Sequence, residues 1–152
     1  MRPTTLADVD AFFEHQCDEL ASQQAAFTSN SPRDRSACDA HWSRILSDPT
    51  VTSRTVTIAG QVLGHVAAFV RDGQNEVTFW FGREHWGRGV ATRALRAFLD
   101  EFGARPVWAR AASDNMGSLH VLEKCGFRVE GHERAFANAR RKAIEETILI
   151  LR

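Results

Sequence analysis

The chain predicts an α+β fold built on a mixed sheet, and three observations carry that expectation. Runs rich in Val, Thr, Phe and Trp alternate with stretches whose apolar residues recur every three or four positions. One such run, Val77-Thr78-Phe79-Trp80-Phe81, breaks into Trp86-Gly87-Arg88-Gly89 and passes straight into a helical pattern. The chain then closes on two long strand-like runs around Asn138-Ala139, which read as an antiparallel pair. The resulting order, β-α-α-β-β-β-α-β-α-β-β, fits a single domain over residues 1–152.

Arg2 to Thr5 reads as a short first strand. Leu6 to about Leu20 reads helical, with Val9, Phe12, Phe13 and Leu20 as its buried stripe. Ala21 to Arg33, rich in Ser, Gln and Asn, has the least pattern and reads as a mobile connection. Asp34 is placed to cap a second helix with Cys38, His41, Trp42, Ile45 and Leu46 on one side, stopped by Asp48-Pro49. Val51–Ile58 and Gln61–Arg71 form a hairpin about Ala59-Gly60, and Asn75–Gly82 is the next strand. The helix after the glycine loop carries Ala91, Ala94, Leu95, Phe98, Leu99 and Phe102 and ends at Gly103. Pro106–Ala111 is a strand. Ser113 or Asp114 caps a short helix bearing Leu119, Leu122 and Cys125, closed by Gly126. Phe127–Phe136 and Ile144–Leu151 form the last pair.

Composition narrows the function classes. With 19 basic and 19 acidic residues, the formal charge is zero, which argues against a nucleic-acid-binding surface. No apolar run approaches the roughly 20 residues that span a bilayer, so no membrane partner is expected. The first residues, MRPTTLADVDAFF, have acids where a secretory signal needs an apolar core. Cys17, Cys38 and Cys125 have no paired spacing, which points to a reduced, cytoplasmic setting. His15 and Cys17 are two ligands at most, too few for a metal site.

The segment Phe81 to Ala94 carries the chemistry. Glycines at a strand-to-helix junction let the backbone approach a ligand closely. The first free N–H groups of the helix then face an anion at the positive end of its dipole. Residues Trp86, Gly87, Arg88, Gly89, Val90, Ala91 and Thr92 therefore read as a pyrophosphate cradle, with backbone donors from Arg88 to Thr92 and Arg88 adding charge. The loop is not Gly-x-Gly-x-x-Gly, since Thr92 stands three residues after Gly89, and this weighs against a dinucleotide-dependent oxidoreductase.

The same residues resemble the signature of the GNAT superfamily of acyl-CoA-dependent N-acetyltransferases, Gln/Arg-x-x-Gly-x-Gly/Ala, with Gly89 and Ala91 at the fourth and sixth positions and Trp86 at the first. Downstream, Asn115-Met116-Gly117-Ser118 and Leu122-Glu123-Lys124-Cys125-Gly126-Phe127 look like the Asn-x-x-Ser…Leu-Glu-Lys-x-Gly-Phe motif of the branch that resembles the RimJ/RimL enzymes. The resemblance implies a mostly antiparallel, seven-stranded sheet splayed between its fourth and fifth strands and flanked by about four helices. It implies acetyl-CoA in that cleft as acyl donor, no metal, and an amine acceptor that is a small molecule or a protein N-terminus. It implies a monomer or a homodimer.

Site residues follow from the resemblance. The end of the splayed strand, Trp80 and Phe81, aligns with the pantetheine arm, with the Phe81 N–H donating to the acyl carbonyl and to the oxyanion that forms from it. Asn115 matches a residue that bonds the pantetheine arm, and capping its helix is compatible with that role. Ser118, one turn on, faces the sulfur or a phosphate. Glu76 matches the position of the carboxylate that many members use as base, because amide formation needs a neutral amine. Glu145, Glu146 and His85 are further candidates for proton transfer. The chain has no tyrosine, whereas many members protonate the departing thiolate with one, so that part falls to Ser118, to a water or to no acid at all, the CoA thiolate being already a fair leaving group. A non-catalytic acyl-CoA-binding regulatory module on the same scaffold is the alternative.

Overall fold

The computed structural model describes all residues, Met1–Arg152. Seven strands form one sheet in the order β1-β2-β3-β4-β5-β7-β6. They are β1 (Arg2–Pro3), β2 (Thr52–Ile58), β3 (Gln61–Arg71), β4 (Gln74–Phe81), β5 (Val107–Ala112), β6 (Arg128–Ala137) and β7 (Lys142–Leu151). Every neighbouring pair is antiparallel except β4 and β5, which run parallel.

Five α-helices flank the sheet: α1 (Val9–Gln16), α2 (Glu19–Ala25), α3 (Arg35–Ser47), α4 (Val90–Phe102) and α5 (Met116–Lys124). The count exceeds the expected four because Ala21–Arg33 is not a plain connection. The first helix stops at Gln16, and Asp18 caps a new one by accepting from the Ala21 N–H at 3.2 Å. Leu20 consequently leaves the buried stripe and is 54% exposed. In α3 the Asp34 cap and the Asp48 stop stand as expected, with Cys38 and Trp42 buried, but His41 faces outward.

Two apolar layers hold the sheet. On one face α4 and α5 bury Leu95, Phe98, Leu99 and Leu122 against Val66, Val77, Val107 and Leu149. The five apolar residues named for α4 from Ala94 on share one side because they recur at helical spacing, and burial of each such side chain contributes on the order of 2 kcal/mol. On the other face a smaller cluster joins Val9 and Phe12 of α1 to Cys38 and Trp42 of α3. No helix is long and apolar enough to cross a membrane.

Candidate active site

The site lies where the sheet parts. β4 and β5 are in register at only two positions, Glu76 with Trp108 and Val77 with Ala109, after which β4 runs on to Phe81 and β5 to Ala112. The gap between them opens into a cleft of about 330 Å³, walled by the end of β4, the first turn of α4, α5 and α2. Phe79, Trp80 and Phe81 all line it.

The backbone of β4 aims donors into this gap. Gly82 N–H donates to Leu63 O at 2.9 Å, so its peptide faces β3. Strand alternation turns the peptide groups of Phe81 and Phe79 the other way, toward the gap. The Phe81 carbonyl is already taken by the Trp86 indole N–H at 3.1 Å. Its N–H is thereby left as a donor placed for a carbonyl lying between the strands.

The mouth of the cleft is the start of α4. Gly89 sits in the left-handed region at φ 74° and ends the loop without any side-chain cap. A β-carbon there would come within 3.0 Å of Arg93 Nη1. The first bond back along the helix is Arg93 N–H to Gly89 O at 3.1 Å, so the amides of Val90, Ala91 and Thr92 point forward without helical partners. Gly87, Gly89, Val90, Ala91 and Thr92 line the cleft. Arg88 belongs to the loop but not to the lining, and its carbonyl accepts from Arg93 at 3.3 Å. Arg83 turns away to Asp18, at 2.8 Å.

Across the gap, Asn115 caps α5. Its Oδ1 accepts from the Ser118 N–H at 3.2 Å, and its Nδ2 donates to Ser118 Oγ at 3.0 Å. The expected caps are occupied elsewhere: Ser113 Oγ meets Thr147 Oγ1 at 2.7 Å, and Asp114 holds Arg140 at 2.7 and 2.9 Å. Ser118 lines the cleft, and because its oxygen accepts from Asn115, its own O–H is free to donate.

The fourth wall is α2, which supplies Ala21, Gln24 and Ala25 from a stretch with little pattern in the sequence. Gln24 reaches Asn115 Oδ1 at 3.1 Å. The turn between β6 and β7 fastens α2 and the residues just after it in place: Arg140 Nε donates to Gln23 O at 2.7 Å, Asn138 Nδ2 to Thr28 O at 2.7 Å and Ala139 N–H to Ala26 O at 3.1 Å. The turn thus braces one wall of the cleft from outside.

Glu76 is not brought into the lining. It lies buried at the crotch of the two strands, with Arg71 Nη1 at 3.6 Å and Arg110 Nε at 3.7 Å. Arg110 also pairs with Glu133 and, at 3.4 Å, with Glu146. Burial pushes the carboxyls of Glu76 and Glu146 above the usual range, against the pull of the guanidiniums. Glu145 does not share in these pairs.

Two further side chains of the cleft are Trp80 and His85, the latter from the 3-10 turn Arg83–His85. Behind them stand His15 of α1 and His65 of β3. His65 is the cross-strand partner of Trp80 and packs on Phe12 and Trp42 at 4.6 and 4.8 Å between ring centres. Burial lowers the His15 imidazole and takes that of His65 down to about 3. No group of three or more His, Cys, Asp or Glu side chains is arranged to hold a metal ion.

Residues 1–128 match the family model described as an acetyltransferase (GNAT) domain. An uncharacterized N-acetyltransferase p20 of Bacillus licheniformis is 27% identical over 78 residues, which make up 49% of this chain and 44% of that protein. The fold is similar to the microcin C7 self-immunity acetyltransferase MccE, solved with acetyl-CoA and AMP, at a TM-score of 0.83 and 15% identity over 99% of this chain and 89% of that one. It is similar as well to the ribosomal-protein-alanine N-acetyltransferase of Brucella melitensis, at 0.81 and 16% over 99% and 97%.

Proposed function

The chain belongs to the GNAT acetyltransferase family, and from that premise we propose that it moves an acetyl group from acetyl-CoA to a primary amine by direct attack within a ternary complex. The carrying observation is the parted β4–β5 pair with the uncapped start of α4 at its mouth. The free amides of Val90, Ala91 and Thr92 bind the pyrophosphate, aided by the helix dipole. Trp86, Gly87, Arg88 and Gly89 form the rest of the cradle, and Asn115 with Trp80 guides the pantetheine arm. The Phe81 N–H polarises the thioester carbonyl and stabilises the oxyanion. Ser118 donates to the thiolate as the C–S bond breaks. Holding both reactants in one cleft supplies much of the acceleration.

Glu76 and Glu146 stand outside the lining, paired with Arg71 and Arg110. The acceptor is a protein N-terminus or a small amine; the ribosomal-protein-alanine enzyme of similar fold supports the former. Residues 1–152 act as one domain, because one sheet runs through both halves. A cytoplasmic setting fits the three free cysteines, and the outer strand β6, with Phe136 63% exposed, is compatible with a monomer or a homodimer.

Calorimetric titration with acetyl-CoA, followed by thiol release with an alanine-terminated peptide and with spermidine, tests the reading. One-to-one binding followed by amine-dependent release of CoA is expected. Absence of binding overturns the cofactor site, and binding without release to either amine overturns the transferase.

A further inference from the structure

Four buried side-chain nitrogens in this protein have no hydrogen-bond partner: His15 Nδ1, His65 Nδ1, Trp80 Nε1 and His85 Nε2. They are not scattered. Trp80 and His85 both line the cleft. His65 pairs with Trp80 across β3 and β4. His15 stands close enough to His65 and His85 for each charge to act on the other. An unpartnered buried polar atom costs about 1–3 kcal/mol, and native folds keep few of them. Two of them, on Trp80 and His85, belong to side chains that line the cleft at the end of β4, with His15 and His65 in the layer behind, and this is where a polar group arriving with the substrates would find partners.

The chemistry of the four differs. Trp80 Nε1 is a donor only. Of the two ring nitrogens of His85, Nε2 is closed off beside Glu84, so Nδ1 is the one a substrate can reach, and it accepts when the ring hydrogen is on Nε2. The His85 side chain is nine-tenths buried, with 10% of its surface exposed, and Glu84 Oε1 lies 3.4 Å from Nε2 without forming a hydrogen bond. The ring of His15 approaches from behind through the space left by Gly82, where a β-carbon would lie 2.9 Å from Nε2. Glu76, by contrast, is held between two guanidiniums outside the lining.

We propose that His85 is the proton acceptor of the transfer, a role that rests on the acetyltransferase reading above. The amine nitrogen attacks the thioester carbon and a C–N bond forms. The proton it sheds goes to His85 Nδ1, directly or through one water. The C–S bond breaks with its electron pair on sulfur, and the thiolate, hydrogen-bonded by the Ser118 O–H, takes a proton from solvent. His85 returns its own proton to solvent, so amine and thioester become amide and thiol with no net proton change.

The test uses the full chain with acetyl-CoA and, as acceptors, an alanine-terminated peptide and spermidine. His85→Gln is expected to lower kcat about 100-fold while the acetyl-CoA Kd stays within threefold. His85→Ala is expected to regain activity when free imidazole is added. A kcat within twofold of native, or a Kd that weakens in step with kcat, overturns the assignment, and so does an alanine variant that imidazole does not rescue. No CoA release by the native protein with either amine overturns the transferase reading, and this inference with it.

Discussion

Gln24 donates its side-chain amide to Asn115 Oδ1 at 3.1 Å, joining residues 91 positions apart in the chain. The same oxygen accepts from the Ser118 N–H. One carboxamide therefore caps α5, ties it to α2 and fixes the hydroxyl of Ser118, three tasks at one atom pair facing the cleft.

Asn115→Ala removes all three. Loss of the cap costs about 1 kcal/mol, a fall in Tm of roughly 3 °C for a domain of this size. The KM for acetyl-CoA is expected to rise severalfold, since the α5 wall loses its anchor. A variant with lower Tm and unchanged KM would reduce Asn115 to a structural cap.

Gly89→Glu addresses the cradle. The position has φ 74°, which costs an L-residue roughly 1–2 kcal/mol, and the new carboxylate would stand among the free amides of α4. The acetyl-CoA Kd is expected to rise more than 100-fold by calorimetry, with a smaller loss of stability. Normal binding by this variant would remove the loop from the cofactor site.

Gly82→Ala presses on the histidine cluster. Its β-carbon would meet His15 Nε2 at 2.9 Å and Cδ2 at 3.0 Å. Overpacking of this kind costs about 1–3 kcal/mol. Displacing His15 is expected to lower kcat and leave the acetyl-CoA KM unchanged in steady-state assays; equal activity would show that the ring's place is immaterial to turnover.

Asp8 offers a pH test at the other end of the sheet. Burial works to raise its pKa, but Arg2 at 2.7 and 2.8 Å, the Thr5 N–H and the Thr55 hydroxyl outweigh it and hold the carboxyl at about 2, below the ordinary 3.8. The ionised form thus stabilises the fold fully above the unfolded value, and that stability is lost as pH falls toward 2. Asp8→Asn is expected to cost on the order of 2 kcal/mol at pH 7, and the gap to native should close in melts near pH 2. A gap of constant size would mean the pairing with Arg2 carries no net stability.

Much of the architecture was legible because local chemistry and tertiary structure agree there. α4 shows its apolar face at helical spacing between two glycines that both adopt positive φ, Gly89 and Gly103. The Asp34 cap and the Ala59-Gly60 turn are equally local signals. α2 was illegible for the opposite reason. Its buried face offers Ala21 and Ser22, with Gln24 and Ala25 half-buried, residues too small or polar to mark a period, while its one large apolar residue, Leu20, points out. The caps at Ser113 and Asp114 were misassigned because Thr147 and Arg140 claim those side chains from distant strands. One histidine in a strand carries no local signal, and the surroundings of His65 exist only once α1, α3 and β4 fold against it.

The two registered pairs between β4 and β5 have a mechanical meaning as well. Two pairs also join β1 to β2, but they cover the whole of β1, whereas the longer strands β4 and β5 leave most of their facing edges unstitched along this seam. An extended ligand laid along it would serve as the missing thread. Amides at the free end of β4 should then exchange with deuterium readily in the empty protein and become protected once the seam is filled, making the bound cofactor a structural member as well as a reactant.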